Sequence, residues 1–312
     1  MLFRLAALLR DRPDVVLLAN DVAFPTDRIV KELHRRAIPY VLAQEGIRFP
    51  LPNTKSEVAY GTGGATRIAA WGRLSADYFI QQGVPEQDVV PTGTPRFDGM
   101  DPGEYREQGI RLREQLELRG KTLLLVSNPV DVLGFCTTDA KLGLIDRFAT
   151  LVEPLFVEDD GFRLIVSMHP HEDAEAVRQR LSKHPFEKRI HIPDRSVPLY
   201  HHLAAADAAV VLASTVGLEA LIFGLPLGVV EIPGHGFVHD YVASNAALGL
   251  KLDPDLANVV GGMLAGNRGN GGRQYVADSI ETFEDASTRI ASLVSEVATN
   301  ARGEMYLGVG AT

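Results

Sequence analysis

The sequence predicts an α/β protein built on parallel sheets, and three observations support this class. Short apolar runs alternate with longer amphipathic stretches along most of the chain. The runs are continuously apolar, as in strands that are buried on both faces of a parallel sheet. Polar residues follow the ends of the runs, where turns into helices are expected. A length of 312 residues is enough for two domains of ordinary size.

The apolar runs and the amphipathic stretches give the predicted elements in chain order. In the first part, strands are expected at 15–19, 39–43, 68–71 and 88–91, and helices at 26–36 and 74–82. In the second part, strands are expected at 122–127, 163–167, 189–192, 208–212 and 227–230, with helices at 105–118, 141–152, 172–183, 197–205 and 217–223. This alternation indicates repeated strand–helix–strand units with parallel strands.

A domain boundary is expected within residues 91–109, where Pro, Gly and Thr interrupt both periodicities. We therefore expect an N-terminal Rossmann-like lobe over 1–95, a C-terminal Rossmann-like lobe over 96–300 and a weakly structured tail over 301–312. The N-terminal lobe has only about four strands, which is short for a doubly wound domain. A flexible loop is expected at 267–272 and a further helix at 278–297.

The charge and the cysteine content narrow the function classes. A net charge of −9 argues against general nucleic-acid binding, which needs a basic face. The single cysteine, Cys136, cannot form an internal disulfide, so a cytoplasmic location is expected. No apolar run approaches the roughly 20 residues that span a bilayer. The opening MLFRLAALLR is interpreted as a short amphipathic helix, which leaves peripheral contact with the inner face of the membrane open.

Polar residues after the predicted strands are the first candidates for a binding site. In open α/β sheets, ligands bind beyond the carboxyl ends of the strands. The alternative is that these residues only form polar turns and cap helices. The candidates that follow strands in this way are Asp21, Glu45, Asn128, His169, Ser214 and Thr215.

The segment ASTVGLEALIFGLPLG, residues 213–228, carries the most specific pattern. Ser214 and Thr215 stand where a strand passes into a helix, so they can cap the helix and face a phosphate. Gly217 allows a ligand to approach the backbone closely. Glu219 can accept two hydroxyl groups of a ribose. The alternative for Glu219 is a partner of the helix dipole or the far end of a capping box.

Four blocks of the sequence carry a family resemblance. DAAVVLASTVGLEALIFGLPLGVVE (207–231) resembles the donor-site segment of GT-B-fold glycosyltransferases. AAWGRLSADYFIQQGVPEQDVVPTGTPRFD (69–98) is similar to the interdomain segment of bacterial surface-polysaccharide transferases. Residues 16–50 and LIVSMHPHED (164–173) resemble the CDP-glycerol glycerophosphotransferase and capsule-transferase group. The order and spacing of these blocks cover most of residues 14–240.

The resemblance implies a GT-B-like fold, in which two Rossmann-like lobes face a cleft and the N-terminal lobe is short. It implies that the C-terminal lobe binds a nucleotide-activated donor, with Ser214 and Thr215 at the diphosphate and Glu219 at the ribose. His169 and Arg96 are expected near phosphate and Asn128 at the cleft. The alternatives are a turn role for His169 and Asn128, and a structural ion pair of Arg96 with Asp98 or another acid.

Glu45 is the candidate general base, with Asp21 in reserve. Transfer requires a group that takes the proton of the acceptor hydroxyl, and a carboxylate at a strand end of the N-terminal lobe is placed to do so. The resembled group often has His at position 45, where this chain has Glu. No metal and no cofactor besides the nucleotide donor are expected, since neither an HExxH nor a DxD motif occurs.

The expected function is transfer of a glycosyl or polyol-phosphate group from a CDP- or UDP-linked donor to a surface-polysaccharide or lipid-linked acceptor. Two alternatives remain open at this point. One is a UDP-sugar 2-epimerase, which shares the two-lobe fold and uses acids in the same cleft. The other is a degenerate, non-catalytic protein that binds nucleotide or partner proteins. Its support is the short N-terminal lobe and the Glu at position 45.

Overall fold

The computed structural model describes residues 12–47, 59–194 and 196–309, and the side chains as far as residue 303. The amphipathic helix expected at the start of the chain lies outside the described residues. The chain forms two compact units. The first contains the described residues up to Met100 together with those from Ala277 onward, and the second is Asp101–Val276.

The first unit contains a four-stranded parallel sheet in the order β1-β2-β3-β4. Its strands are β1 (Val16–Leu18), β2 (Tyr40–Ala43), β3 (Arg67–Ala70) and β4 (Val89–Pro91), with helices α1 (Thr26–Arg35) and α2 (Arg73–Gln81) between them. All four predicted strands and both predicted helices are confirmed within a few residues. Val30 and Leu33 of α1 and Phe79 of α2 are buried against the sheet.

The second unit contains a six-stranded parallel sheet. Its strands are β5 (Thr122–Val126), β6 (Arg163–Ser167), β7 (Ile190–His191), β8 (Ala208–Val211), β9 (Leu227–Val230) and β10 (Leu248–Leu250). Its helices are α3 (Arg106–Gln115), α4 (Thr138–Leu151), α5 (Glu153–Glu158), α6 (Ala174–Leu181), α7 (Leu199–Ala205), α8 (Val216–Ile222) and α9 (Leu256–Leu264), and α10 (Gly272–Ser279) follows them.

The strand order β7-β6-β5-β8-β9-β10 is that of a doubly wound Rossmann sheet. The chain starts in the middle at β5, builds outward through β6 and β7, and then returns to the other side of β5 at β8. Every residue of β5 is buried, because helices cover both faces of a sheet of this kind. The predicted fold class is thus confirmed in both units.

The C-terminal helix is where the structure departs from the predicted domain division. Helix α11 (Ala286–Val309) belongs to the first unit, although the residues up to 300 were expected in the C-terminal lobe. Its apolar residues Ile290, Leu293 and Val297 pack against Val41 of β2 and Ala69 of β3. Burial of this apolar stripe on the first sheet is the physical reason why α11 belongs to the first unit.

The described part of the predicted tail is also helical. Residues 301–309 continue α11, so the expectation of a weakly structured tail is wrong for them. The helix predicted at 278–297 begins later, because α10 ends at Ser279 and the Glu281 N–H then donates to the Trp71 carbonyl at 2.8 Å. Among the described residues, no helix has both the length and the hydropathy of a membrane span.

Asp98 fixes the beginning of α11. Its carboxylate accepts the N–H groups of Ala286 and Ser287, each at 2.8 Å, and the Ser287 hydroxyl at 2.5 Å. Burial alone would raise the pKa of Asp98, but these hydrogen bonds lower it overall. Asp98 thus serves as a capping carboxylate for a helix that lies far away in the sequence.

Replacing Asp98 with Ala should destabilise the first unit, since two helix N–H groups lose their acceptor. We expect Asp98→Ala to lower the free energy of unfolding by about 1–2 kcal/mol in a urea titration. The control is Asp101→Ala, which removes one exposed bond to the Gly103 N–H and should cost less than about 0.5 kcal/mol. Equal losses in the two variants would contradict the capping role.

Candidate functional site

The candidate site is the switch point of the second sheet, where strands stop being added on one side of β5 and begin on the other. β5 and β8 lie side by side, with Val126 paired to Val211, and the strand order reverses between them. Asn128 follows β5, and its side-chain amide donates to the carbonyl of Ala213, which follows β8. This bond joins the two loops, so the structure brings the predicted residues Asn128, Ser214 and Thr215 together.

Several polar groups of the turn into α8 are already hydrogen-bonded within the protein. Ser214 is buried, and its Oγ accepts the Val216 N–H at 3.3 Å. The Leu218 N–H donates to the Tyr241 hydroxyl at 3.1 Å. Thr215 is the N-cap residue and is half-buried, and its side chain forms no capping bond. Of the two residues predicted to face a phosphate, Ser214 is thus buried within the turn, whereas Thr215 is half-buried with its hydroxyl outside any capping bond.

Gly217 is explained by a contact within the protein. A Cβ atom at this position would lie 2.7 Å from the ring of Tyr241, which is less than any real packing distance. Tyr241 is itself buried, and its hydroxyl donates to the Ser214 carbonyl at 3.2 Å. Gly217 thus accommodates Tyr241, whereas the sequence pattern suggested space for a ligand.

Glu219 lies in α8 with none of its surface open to solvent. Its Oε1 accepts a hydrogen bond from the Tyr200 hydroxyl at 3.5 Å. The capping-box alternative is wrong, since the Thr215 side chain makes no capping bond and Glu219 is the fourth residue of the helix. The carboxylate of Glu219 is therefore closed to solvent in this structure and in contact with the Tyr200 hydroxyl.

Two further half-buried aromatic rings pack against Tyr200. Tyr200 makes an edge contact with Tyr105, at 5.1 Å between ring centroids, and Phe223 lies 5.7 Å from Tyr200. Each ring is partly exposed. The three rings offer an apolar surface next to Glu219, which sequence reasoning missed because they come from three separate elements.

His169 lies in the turn that follows β6. Its Nδ1 accepts the His171 N–H at 3.2 Å, so in the neutral ring the proton is on Nε2. Burial lowers the pKa of His169 below its usual value. At neutral pH this side chain is therefore an uncharged imidazole that can donate a hydrogen bond through Nε2–H.

A buried ion cluster beneath this turn was not predicted from the sequence. Lys141 Nζ lies 2.9 Å from Asp131 Oδ1 and 3.0 Å from Glu172 Oε1. Burial would lower the pKa of Lys141, but the two carboxylates outweigh it and raise the pKa. The signal in the sequence is a lysine at the start of the apolar stripe of α4, followed at helical spacing by Leu144 and Phe148.

The carboxylates predicted in the first unit have different environments. Asp21 is buried, and its two oxygens accept the N–H groups of Gly61 and Gly63 at 3.0 and 2.9 Å. This arrangement makes Asp21 an anchor of the 61–63 turn. Glu45 is exposed, and its Oε1 accepts the side-chain amide of Asn20 at 2.8 Å. Of the two, Glu45 is the one that solvent and a substrate can reach.

Arg96 also lies in the first unit. Its side chain is exposed, with the guanidinium carbon 5.9 Å from the centroid of the Phe97 ring. Asp98, the predicted alternative partner, caps α11 instead. The exposed Arg96 side chain thus lies over an aromatic ring.

Comparison with known proteins shows the fold of the chain. No protein-family model and no curated protein sequence matches it. UDP-GlcNAc 2-epimerase from Neisseria meningitidis, bound to UDP-GlcNAc, superimposes with a TM-score of 0.66 at 15% identity, covering 94% of this chain and 80% of that one. The S. aureus MnaA–UDP structure gives 0.63 at 16% identity, with 93% and 77% covered.

A third similar structure is the wall teichoic acid polymerase TagF. It superimposes with a TM-score of 0.55 at 12% identity, covering 85% of this chain and 69% of that one. These enzymes have GT-B-like folds, so the chain has a GT-B-like α/β fold, as its sequence predicts. Identities of 12–16% show the fold alone.

A buried histidine near the site should make stability depend on pH. His202 Nδ1 lies 3.3 Å from Ser167 Oγ at the end of β6, and burial lowers the pKa of His202 from 6.5 to about 4. Between these pH values the unfolded chain binds a proton that the folded chain does not. The stability is therefore complete above about pH 6.5 and falls as the pH is lowered toward 4.

We expect His202 alone to reduce the free energy of unfolding by about 2–3 kcal/mol between pH 7.5 and 4.5. In the variant His202→Leu, the loss over this range should be smaller by about that amount. Urea titrations at the two pH values measure it. A variant that loses as much stability as the wild type over this range would contradict the assignment.

Proposed function

We propose that the chain is a transferase that uses a nucleotide-activated donor. It would move a glycosyl or polyol-phosphate group from a CDP- or UDP-linked donor to a surface-polysaccharide or lipid-linked acceptor. The observation that carries this proposal is the set of polar residues at the switch point of the Rossmann sheet. Asn128, Thr215 and His169 lie after β5, β8 and β6, where ligands of such sheets bind. Solved structures with a similar fold hold UDP or UDP-GlcNAc.

The phosphates of the donor would lie against Thr215 and His169. The half-buried Thr215 supplies a hydroxyl and stands at the turn into α8. His169 supplies a neutral Nε2–H donor, since its Nδ1 already accepts from the His171 N–H. Leaving-group phosphate is stabilised by donors that are fixed before the reaction, because they need not reorganise as charge develops.

The ribose would bind Glu219 in exchange for Tyr200. The Tyr200 hydroxyl donates to Oε1 of Glu219, in the way that a ribose hydroxyl would. Turning the partly exposed Tyr200 ring outward would release Oε1 for the ribose. Arg96, an exposed cation of the first unit, is our candidate for a second contact to phosphate.

On the acceptor side we assign Glu45 as general base. Its exposed carboxylate at the carboxyl end of β2 is held by the side-chain amide of Asn20. Asn20 is in turn fixed by the Val22 and Ala23 N–H groups, which donate to its Oδ1 at 3.0 and 2.7 Å. Asp21 is a poor alternative, since both of its oxygens already accept backbone N–H groups.

A UDP-sugar 2-epimerase is the second candidate. Its support is that the UDP-GlcNAc 2-epimerase from Neisseria meningitidis, a structure with bound UDP-GlcNAc, shares the fold. The two reactions differ in their need for an acceptor. An epimerase converts UDP-GlcNAc on its own, whereas a transferase requires an acceptor hydroxyl.

Nucleotide binding tests the donor site. The wild type should bind UDP or CDP in calorimetry, and Glu219→Gln should weaken binding about tenfold or more, because a charged acceptor of ribose hydroxyls is lost. Tyr200→Phe should bind equally or more tightly, because it removes the hydroxyl that competes for Glu219. Tyr105→Phe removes a neighbouring phenol and serves as the matched control with unchanged affinity.

Two outcomes would contradict this assignment. A wild-type protein that binds neither UDP nor CDP excludes the donor site. If Tyr200→Phe loses as much nucleotide affinity as Glu219→Gln does, the two residues act only as a structural pair.

Turnover tests Glu45. Glu45→Gln should leave the affinity for UDP or CDP unchanged and lower the rate of transfer about 10²–10⁴-fold, since the base is lost. The assay follows nucleotide release from UDP-GlcNAc or CDP-glycerol in the presence of a lipid-linked saccharide, with Glu86→Gln as an exposed control. Full turnover in Glu45→Gln removes Glu45 as the base. Conversion of UDP-GlcNAc without any acceptor would establish the epimerase instead.

A further inference from the structure

Glu172 ties together the two loops that follow β5 and β6. Its Oε1 accepts the Ser127 hydroxyl at 2.7 Å, and its Oε2 accepts the His169 N–H at 2.8 Å. Ser127 directly follows β5, and its own N–H donates to the carbonyl of Ser167 at 2.9 Å. One buried carboxylate thus reaches from the end of β5 to the turn that carries His169.

Lys141 holds this carboxylate in place from helix α4. The side chains of Lys141, Asp131 and Glu172 are only 6%, 9% and 0% exposed. Asp131 also accepts the Thr138 hydroxyl at 2.8 Å, so the acid on the other side of Lys141 is fixed as well. A single charge so deeply buried would be costly, and these groups remain buried because they are paired with one another.

Stability alone does not account for a cluster of this kind. Replacing a buried ion pair with apolar residues of similar volume is often neutral or stabilising, because desolvation offsets the attraction between the charges. What such a cluster does provide is a fixed geometry for the groups that it binds. Here the bound group is the backbone of His169.

The turn at His169 is held at several points at once. The His169 N–H donates to Glu172 Oε2, and the Glu172 N–H donates back to the His169 carbonyl at 2.9 Å. The His171 N–H donates to Nδ1 of the His169 ring. Backbone and imidazole are therefore fixed together, with Nε2–H as the ring's donor.

We propose that Glu172, held by Lys141 and Asp131, is a positioning residue that fixes the His169 turn so that the Nε2–H of His169 donates to a phosphate of the nucleotide donor. This inference rests on the proposed function. Glu172 itself touches no substrate and acts through His169. Its removal should therefore affect phosphate binding only as long as His169 is present.

The variant Glu172→Gln separates these roles. Glutamine has one acceptor oxygen, and Lys141 has only donors, so the oxygen faces Lys141 and the amide NH₂ meets the His169 N–H. Lys141 keeps Asp131 as its partner, so no unpaired charge is left behind. Glu175→Gln, an exposed substitution on the neighbouring helix α6, is the matched control.

Calorimetry with UDP and CDP on four proteins forms a double-mutant cycle. We expect Glu172→Gln and His169→Ala each to weaken binding about tenfold, the double variant to be no weaker than His169→Ala, and Glu175→Gln to bind like the wild type. Ser127→Ala removes only one bond to Glu172 and should cause a smaller loss of nucleotide affinity. This loss should disappear when His169 has already been replaced with Ala. This variant carries the test if Glu172→Gln does not fold.

The outcomes distinguish the positioning role from the proposed function. Failure of the wild type to bind either nucleotide contradicts the proposed function. If the wild type binds, unchanged affinity in Glu172→Gln overturns the positioning role. Losses from Glu172→Gln and His169→Ala that simply add also overturn it, because they show that Glu172 stabilises the site without acting through His169.

Discussion

The parallel pairing of β5 with both β6 and β8 is the constraint on which the candidate site depends. β5 is buried along its whole length and is the first strand of its sheet to occur in the chain. The chain leaves it on one side through β6 and returns on the other through β8. This return creates the switch point, and the Asn128–Ala213 hydrogen bond, the Glu172 carboxylate and the turn into α8 are all built on the strand ends that it brings together.

The sequence predicted the strands well because each is a short, continuously apolar run, and burial on both faces of a parallel sheet requires such runs. It also located Ser214, Thr215, Asn128 and His169 at strand ends, since that rule depends only on chain position. The short strand β10 and helices α5, α9 and α10 were missed. Strand β10 and helix α5 have only 3 and 6 residues, too few to show a period. Helix α9 does carry apolar residues at helical spacing, but Gly261 and Gly262 lie within it and disfavour a helix locally.

Tertiary partners could not be predicted from local pattern. Periodicity indicated a helix near the C-terminus, but nothing in it shows that Ile290 and Leu293 pack on the first sheet. The same holds for Tyr241 against Gly217 and for Tyr200 on Glu219, whose positions far apart in the chain conceal the contacts. Glu219 was predicted to bind ribose hydroxyls, and its complete burial could not be predicted from the local pattern either.

The buried and capping carboxylates all join separate segments of the chain. Asp98, Asp21 and Glu172 each use both carboxylate oxygens on groups from elsewhere in the chain, so each fixes one segment against another. Glu45 differs, because it is exposed at the end of β2, where its Oε1 accepts the side-chain amide of Asn20. This contrast separates acids that build the scaffold from an acid that is available for chemistry.

Hydrogen exchange with and without UDP or CDP tests whether the strand-end loops of the second unit bind nucleotide, since bound nucleotide protects the backbone that it covers or orders. We expect saturating nucleotide to slow exchange in the loops after β5, β6 and β8, at residues 127–135, 168–173 and 213–219. Protection confined to other parts of the second unit, or no change in these three loops at saturation, would contradict it.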